Sequence, residues 1–174
     1  IKGTDYNENL YFDPGARVAY DLDCLVHPSA VHPAFTATHP WHRRVSLDKN
    51  DGLGVHWDAL VEGVLLEFHS VPGPTPPWTL DMESIWTDAI PITLDGFSCF
   101  VPHPMDRLYI YLINQAKSAF TDGFWSIVDL ALILRRIRAD GIEWSDVEAR
   151  VSERGLQRVY SLALYRLTKS RLIS

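Results

Sequence analysis

Arg17-Val18-Ala19-Tyr20-Asp21-Leu22-Asp23-Cys24-Leu25-Val26 is the stretch whose reading decides the fold. It is apolar, β-branched and aromatic except for two aspartates two residues apart. That composition predicts a strand. Side chains alternate across a strand, so Asp21 and Asp23 share one face, with Cα atoms roughly 6.6 Å apart. Adjacent carboxylates on a half-buried surface repel, and either one takes up a proton or a cation sits between them. A hard divalent ion such as Mg²⁺ takes oxygen ligands of this kind. Two aspartates at a solvated strand end are the plain alternative, and only the rest of the chain can decide between them.

Working outward, His27-Pro28 stops this strand, and residues 29–38 read as a short helix interrupted by Pro33. Trp41 to Leu47 reads as a second strand, Asp48 to Gly52 as a hairpin turn, and Leu53 to Trp57 as strand or loop. Val61 to Val71 reads as one strand on which Leu65, Glu67 and His69 share a face, with Val64, Leu66 and Phe68 opposite. Pro72 to Pro77 breaks any regular element. A short helix is expected around Asp81–Ala89 and an edge strand at Phe97–Val101. Beyond His103-Pro104 the apolar spacing becomes helical: Asp106 to Phe120, Trp125 to Arg138, a helix from Trp144 with Ser145 as its N-cap and Gly155 as its stop, and Leu156 to Leu172. The expected fold class is α+β. A small mixed or antiparallel sheet with flanking helices occupies residues 1–102, and a helical bundle occupies 103–174. The abrupt opening at Ile1 suggests that an element precedes it in the full protein.

The charge balance narrows the partners. Sixteen basic residues stand against 22 acidic ones, a net charge of −6. Counterion release needs a basic face, so duplex nucleic acid is not expected as a partner. A local basic pocket for a triphosphate remains compatible with that charge. Cys24 and Cys99 read as small core residues, not as a disulfide framework. No apolar run reaches the length of a membrane span and no leader peptide is visible, so the expected location is cytoplasmic.

Three carboxylates carry the chemistry. Asp21 and Asp23 on one strand and Glu67 on a neighbouring strand form the usual cage for two metal ions, which can activate an attacking hydroxyl and stabilise a leaving pyrophosphate. His69 shares the face of Glu67 and is the one histidine of seven assigned to the site. The cysteines give no spacing that supports zinc. Lys2-Gly3 offers a charge and a flexible backbone to a phosphate, and Arg17 stands at the mouth of the Asp21/Asp23 strand. Asp129 lies in an otherwise apolar helix, so it is either buried with a partner or faces a cleft. No Walker-type loop, dinucleotide fingerprint or nucleophile elbow is present.

Lys2-Gly3, Asp13-Pro14-Gly15-Ala16-Arg17 and Asp21-Leu22-Asp23-Cys24-Leu25-Val26, taken in order, resemble the opening signature of the uncharacterised nucleotidyltransferase-like family of the polymerase-β superfamily. Glu67-Phe68-His69 looks like that family's Glu/Asp-x-His strand. Trp125 to Leu130 looks like its Trp-x-x-x-Asp helix, and Glu143-Trp144-Ser145 resembles the helix start that follows. The resemblance runs over nearly the whole chain. It implies a nucleotidyltransferase core sheet, with Asp21, Asp23 and Glu67 as ligands of Mg²⁺ or Mn²⁺. Lys2-Gly3 stands where relatives carry a Gly-Ser that holds the triphosphate. Gln115, with Lys117 just after it, stands near the place of a family histidine.

The implied activity is metal-dependent transfer of a nucleoside monophosphate from an NTP to a small-molecule, peptide or protein acceptor. Lys2, Gly3, Arg17, His69, Lys117 and Asp129 would line the nucleotide site. A non-catalytic binding module that keeps the carboxylates for a ligand or partner is the competing expectation. A metal-dependent phosphoesterase or sugar-phosphate transferase on the same three carboxylates is a third.

Overall fold

The computed structural model describes residues 10, 11, 13, 21–47, 55–71, 78, 80–94 and 96–170. The sequence expectations at Lys2, Gly3, Arg17 and the turn at 48–52 lie outside them. The fold is α+β, a small mixed sheet with flanking helices and a helical C-terminal part. The chain divides into two compact units, residues 1–75 and 76–174. Residues 76–102, grouped above with the sheet, fall in the second unit. Among the described residues no helix is long and apolar enough to cross a membrane.

The first unit is built on a four-stranded sheet. Its strands are β1 (Asp21–Leu25), β2 (His42–Leu47), β3 (Val55–Val61) and β4 (Val64–His69), in the spatial order β1-β4-β3-β2. β1 runs parallel to β4, whereas β3 is antiparallel to both β4 and β2. The sheet is therefore mixed. The run read as one strand from Val61 to Val71 is in fact broken by a two-residue turn at Glu62-Gly63. Both residues have positive φ, 51° and 88°, as a type I′ hairpin turn requires. Glycine adopts that backbone freely and glutamate does so rarely, which is why the turn does not announce itself in the sequence.

One face of this sheet is apolar. Trp57 is fully buried, stacks on Phe68 at 4.9 Å and meets the edge of Phe35 at 5.6 Å. Phe35 comes from α1 (Val31–Thr38), which packs on β3. The indole Nε1 donates to Thr38 Oγ1 at 3.0 Å, so the one polar atom of this ring is satisfied. Pro33 does not interrupt α1. It sits in the first turn, where its missing N–H would have had no helical acceptor.

The second unit opens with α2 (Met82–Thr87), capped by Asp81 accepting from Ser84 N at 3.2 Å. A hairpin follows, β5 (Ile90–Leu94) and β6 (Phe97–Val101). Only β6 is expected from the sequence. Pro91 conceals β5, because proline is excluded from central strands but tolerated at an exposed sheet edge.

Four helices complete the unit: α3 (Pro104–Lys117), α4 (Gly123–Ala139), α5 (Trp144–Glu153) and α6 (Gln157–Lys169). The α3 helix carries Pro at its first position and His103 as its cap, the ring Nδ1 accepting from Met105 N at 3.3 Å. It ends before the predicted Phe120, because Ala119 and Phe120 take left-handed backbone conformations. The core is Leu108, Ile110, Leu112, Ile113, Leu130, Ile133 and Ile137 from α3 and α4, with Val147, Val151 and Leu167 from α5 and α6. Gly155 closes α5 as expected, at positive φ, with Leu156 N donating back to Val151 O in a Schellman turn. The N-cap of α5 is Glu143, not Ser145, which lies inside the helix.

Candidate functional site

The parallel register of β1 and β4 sets Asp21 beside Leu65, Asp23 beside Glu67 and Leu25 beside His69. Residues paired across a sheet share a face. Asp21, Asp23, Glu67 and His69 therefore come together on the face opposite the Trp57 core. Alternation within each segment predicts which residues share a face, and the register shows that the two strands are neighbours. The Val26 N–H donates to His69 O at 2.8 Å, which carries the ladder past the end of β1.

The antiparallel register of β3 on β4 adds two residues that the sequence reading did not assign. Asp58 pairs with Glu67, and His56 pairs with His69. The same polar face thus holds four acidic residues, Asp21, Asp23, Asp58 and Glu67, and two imidazoles. The signal was present as His56-x-Asp58, a period-2 pair like Asp21-x-Asp23. It could be read only once the Glu62-Gly63 turn fixed the register.

The contacts within this face are short. His69 Nε2 lies 3.1 Å from Asp23 Oδ1 and 3.7 Å from Glu67 Oε2. His56 Nε2 lies 2.9 Å from Asp58 Oδ1, an ion-pair approach without the alignment of a good hydrogen bond. The rings of His56 and His69 stack at 4.6 Å with 12° between their planes. The donor atoms of His56, Glu67 and His69 all lie within 4.8 Å of one another.

The Glu67 carboxyl is held above its usual pKa, first by burial and then by the negative charges of Asp23, Asp21 and Asp58; His69 pulls the other way. Like charges on adjacent strands disfavour one another, and a bound dication would reverse that balance. Carboxylate oxygens suit Mg²⁺ and Mn²⁺, and imidazole nitrogen suits zinc and its neighbours. The donor set therefore fits a divalent metal.

The remaining sequence-assigned residues belong to the second unit. Lys117 is exposed in the last turn of α3, where a cation complements the helix C-terminus. Asp129 is 4% exposed on α4, so it is buried, and its charge helps raise the pKa of the Tyr111 hydroxyl, whose main cause is burial. Gln115 is also buried. Its Nε2 donates to Asp122 Oδ2 at 2.8 Å, and its Oε1 accepts from Arg166 Nη1 at 3.4 Å.

Comparison with known families and proteins follows the same direction. The model of a family described as "Uncharacterised nucleotidyltransferase" matches residues 1–170. No curated protein and no solved structure matches the chain significantly.

Proposed function

Since the chain belongs to the uncharacterised nucleotidyltransferase family, we propose that it transfers a nucleoside monophosphate from an NTP to a small-molecule, peptide or protein acceptor, releasing pyrophosphate, with Mg²⁺ or Mn²⁺ held by Asp21, Asp23 and Glu67. The observation that carries this reading is the register pairing of Asp23 with Glu67 across parallel strands, with Asp21 on the same face. When bound, the ion supplies charge neutralisation at the phosphates and a more acidic attacking group.

The residues themselves have separate tasks. Asp21 and Asp23 face the same way because strand side chains repeat every second position. Glu67 completes the set from the next strand, where burial, and then the charges of Asp23, Asp21 and Asp58, raise its pKa. The apolar layer beneath, with Trp57 bonded to Thr38 and stacked on Phe68, anchors β4, to which β1 is paired. Rigid placement matters because nucleotidyl transfer depends on positioning and charge, not on a covalent protein intermediate. In the reaction the acceptor oxygen or nitrogen bonds to the α-phosphorus as the bridging bond to pyrophosphate breaks. Lys2, Gly3 and Arg17 are proposed as phosphate contacts, and the chain is proposed to work in the cytoplasm.

An NTP labelled at the α-phosphate, incubated with the protein, Mg²⁺ and cell extract as an acceptor pool, tests this. Label should appear on an acceptor and disappear with Asp23→Asn. Label transfer that is unchanged in Asp23→Asn would defeat the assignment.

A further inference from the structure

The carboxylate face holds one feature that a magnesium site does not call for. His56 on β3 and His69 on β4 are register partners, and their rings lie nearly parallel at 4.6 Å. Glu67, two positions from His69 on the same strand, lies within reach of both: the three donor atoms are mutually within 4.8 Å. Ligands held by one first-row ion at about 2.1 Å stand about 3.0 Å apart in an octahedron and about 3.4 Å apart in a tetrahedron. The observed 3.7 Å from His69 Nε2 to Glu67 Oε2 is already close to that spacing. Small side-chain rotations on fixed strands bring the third donor in.

The ligand chemistry then selects the ion. Mg²⁺ takes oxygen and keeps its water, so two imidazoles add nothing to its binding. Imidazole nitrogen favours zinc, cobalt and nickel, and a two-histidine, one-carboxylate set leaves positions open for water or a substrate atom. Asp23 and Asp58 lie against Nε2 of His69 and of His56 at 3.1 and 2.9 Å, close enough for their carboxylates to join the ion. We infer that His56, Glu67 and His69 form a site for a first-row transition dication of the zinc class, beside the Asp21/Asp23 pair and sharing Glu67 with it. The inference deepens the proposed nucleotidyl-transfer site and rests on the same reading of this face as cation-binding, but it does not require catalysis.

The test uses the whole chain and Zn²⁺ itself. In long-range ¹H–¹⁵N spectra, one equivalent of Zn²⁺ should shift the imidazole nitrogens of two histidines, and a large excess of Mg²⁺ should not. His56→Gln and His69→Gln, each checked for native circular dichroism, should remove one shifted ring apiece and weaken Zn²⁺ at least tenfold in competition with a chromophoric chelator. Asp21→Asn should keep the Zn²⁺ affinity within about threefold. Shifts confined to other histidines, no shift at all, or displacement of Zn²⁺ by equimolar Mg²⁺ would overturn the inference. The two readings fail separately. Loss of Zn²⁺ binding with Mg²⁺-dependent NTP binding intact defeats only this site. Zn²⁺ bound at His56 and His69 without any NTP binding defeats only the nucleotidyl-transfer reading.

Discussion

Replacing Asp106 with asparagine should stabilise the second unit at neutral pH. Asp106 lies in the first turn of α3 and is 4% exposed. Burial is the main reason its carboxyl is pushed from the ordinary 3.8 up to about 6. Asp88 and Asp81 add to the rise, while Arg154 and Arg150 oppose it. The helix N-terminus also favours the charged form, so desolvation outweighs three favourable influences. A rise of that size corresponds to roughly 3 kcal/mol between the protonated and ionised states, taken as an order of magnitude.

The sign follows from proton linkage. The folded state holds this proton more tightly than the unfolded chain, so the favourable contribution is complete below about pH 3.8. It is lost as the pH rises through about 6. Asparagine stays neutral at every pH and removes the titration. Urea unfolding of both proteins, followed at 222 nm between pH 4 and 8, gives the difference directly. Other carboxylates that titrate in this window cancel in that difference. Asp106→Asn should match the wild type near pH 4 and exceed it by about 1–3 kcal/mol at pH 8. A variant less stable than wild type at pH 8, or a gap independent of pH, would refute the reasoning.

Other perturbations test the packing of each unit. Trp57→Ala should cost about 3–5 kcal/mol, because a fully buried ring is lost along with its bond to Thr38. Trp57→Phe should cost less, leaving Thr38 without one donor, and both can be read from urea midpoints of the first unit. Gly63→Ala puts a side chain at φ 88° in a two-residue turn; a loss of about 1–2 kcal/mol is expected, together with weaker metal binding if the β3–β4 register slips. Leu112→Ala, at a fully buried position of α3, should cost about 2–5 kcal/mol by thermal or urea unfolding.

Much of the candidate site is legible in the chain because strand periodicity is local. Asp21-x-Asp23 and Glu67-x-His69 each declare a polar face without knowledge of the fold. The helical half is legible for the same reason, since the apolar positions of α3 and α4 recur at helical spacing. What could not be read depends on partners distant in sequence or on atypical turn chemistry. His56 and Asp58 join the site only through the register set by Glu62-Gly63, and a glutamate at positive φ gives no turn signal. Strand β5 is hidden by Pro91, and the parallel pairing of β1 with β4 is a long-range choice that no local pattern encodes. Asp129 could be read as buried or cleft-facing from its apolar surroundings, and its burial emerges only from the packing of the second unit.

The central claim is that the Asp21, Asp23 and Glu67 face binds a metal-bound nucleotide. Calorimetric titration of the protein with each NTP, with and without Mg²⁺, tests it most directly. The account predicts saturable binding of at least one NTP that needs Mg²⁺ and is lost in Asp21→Asn and Asp23→Asn variants that remain folded. Binding of no NTP in the presence of Mg²⁺ would contradict it, as would binding that neither aspartate affects.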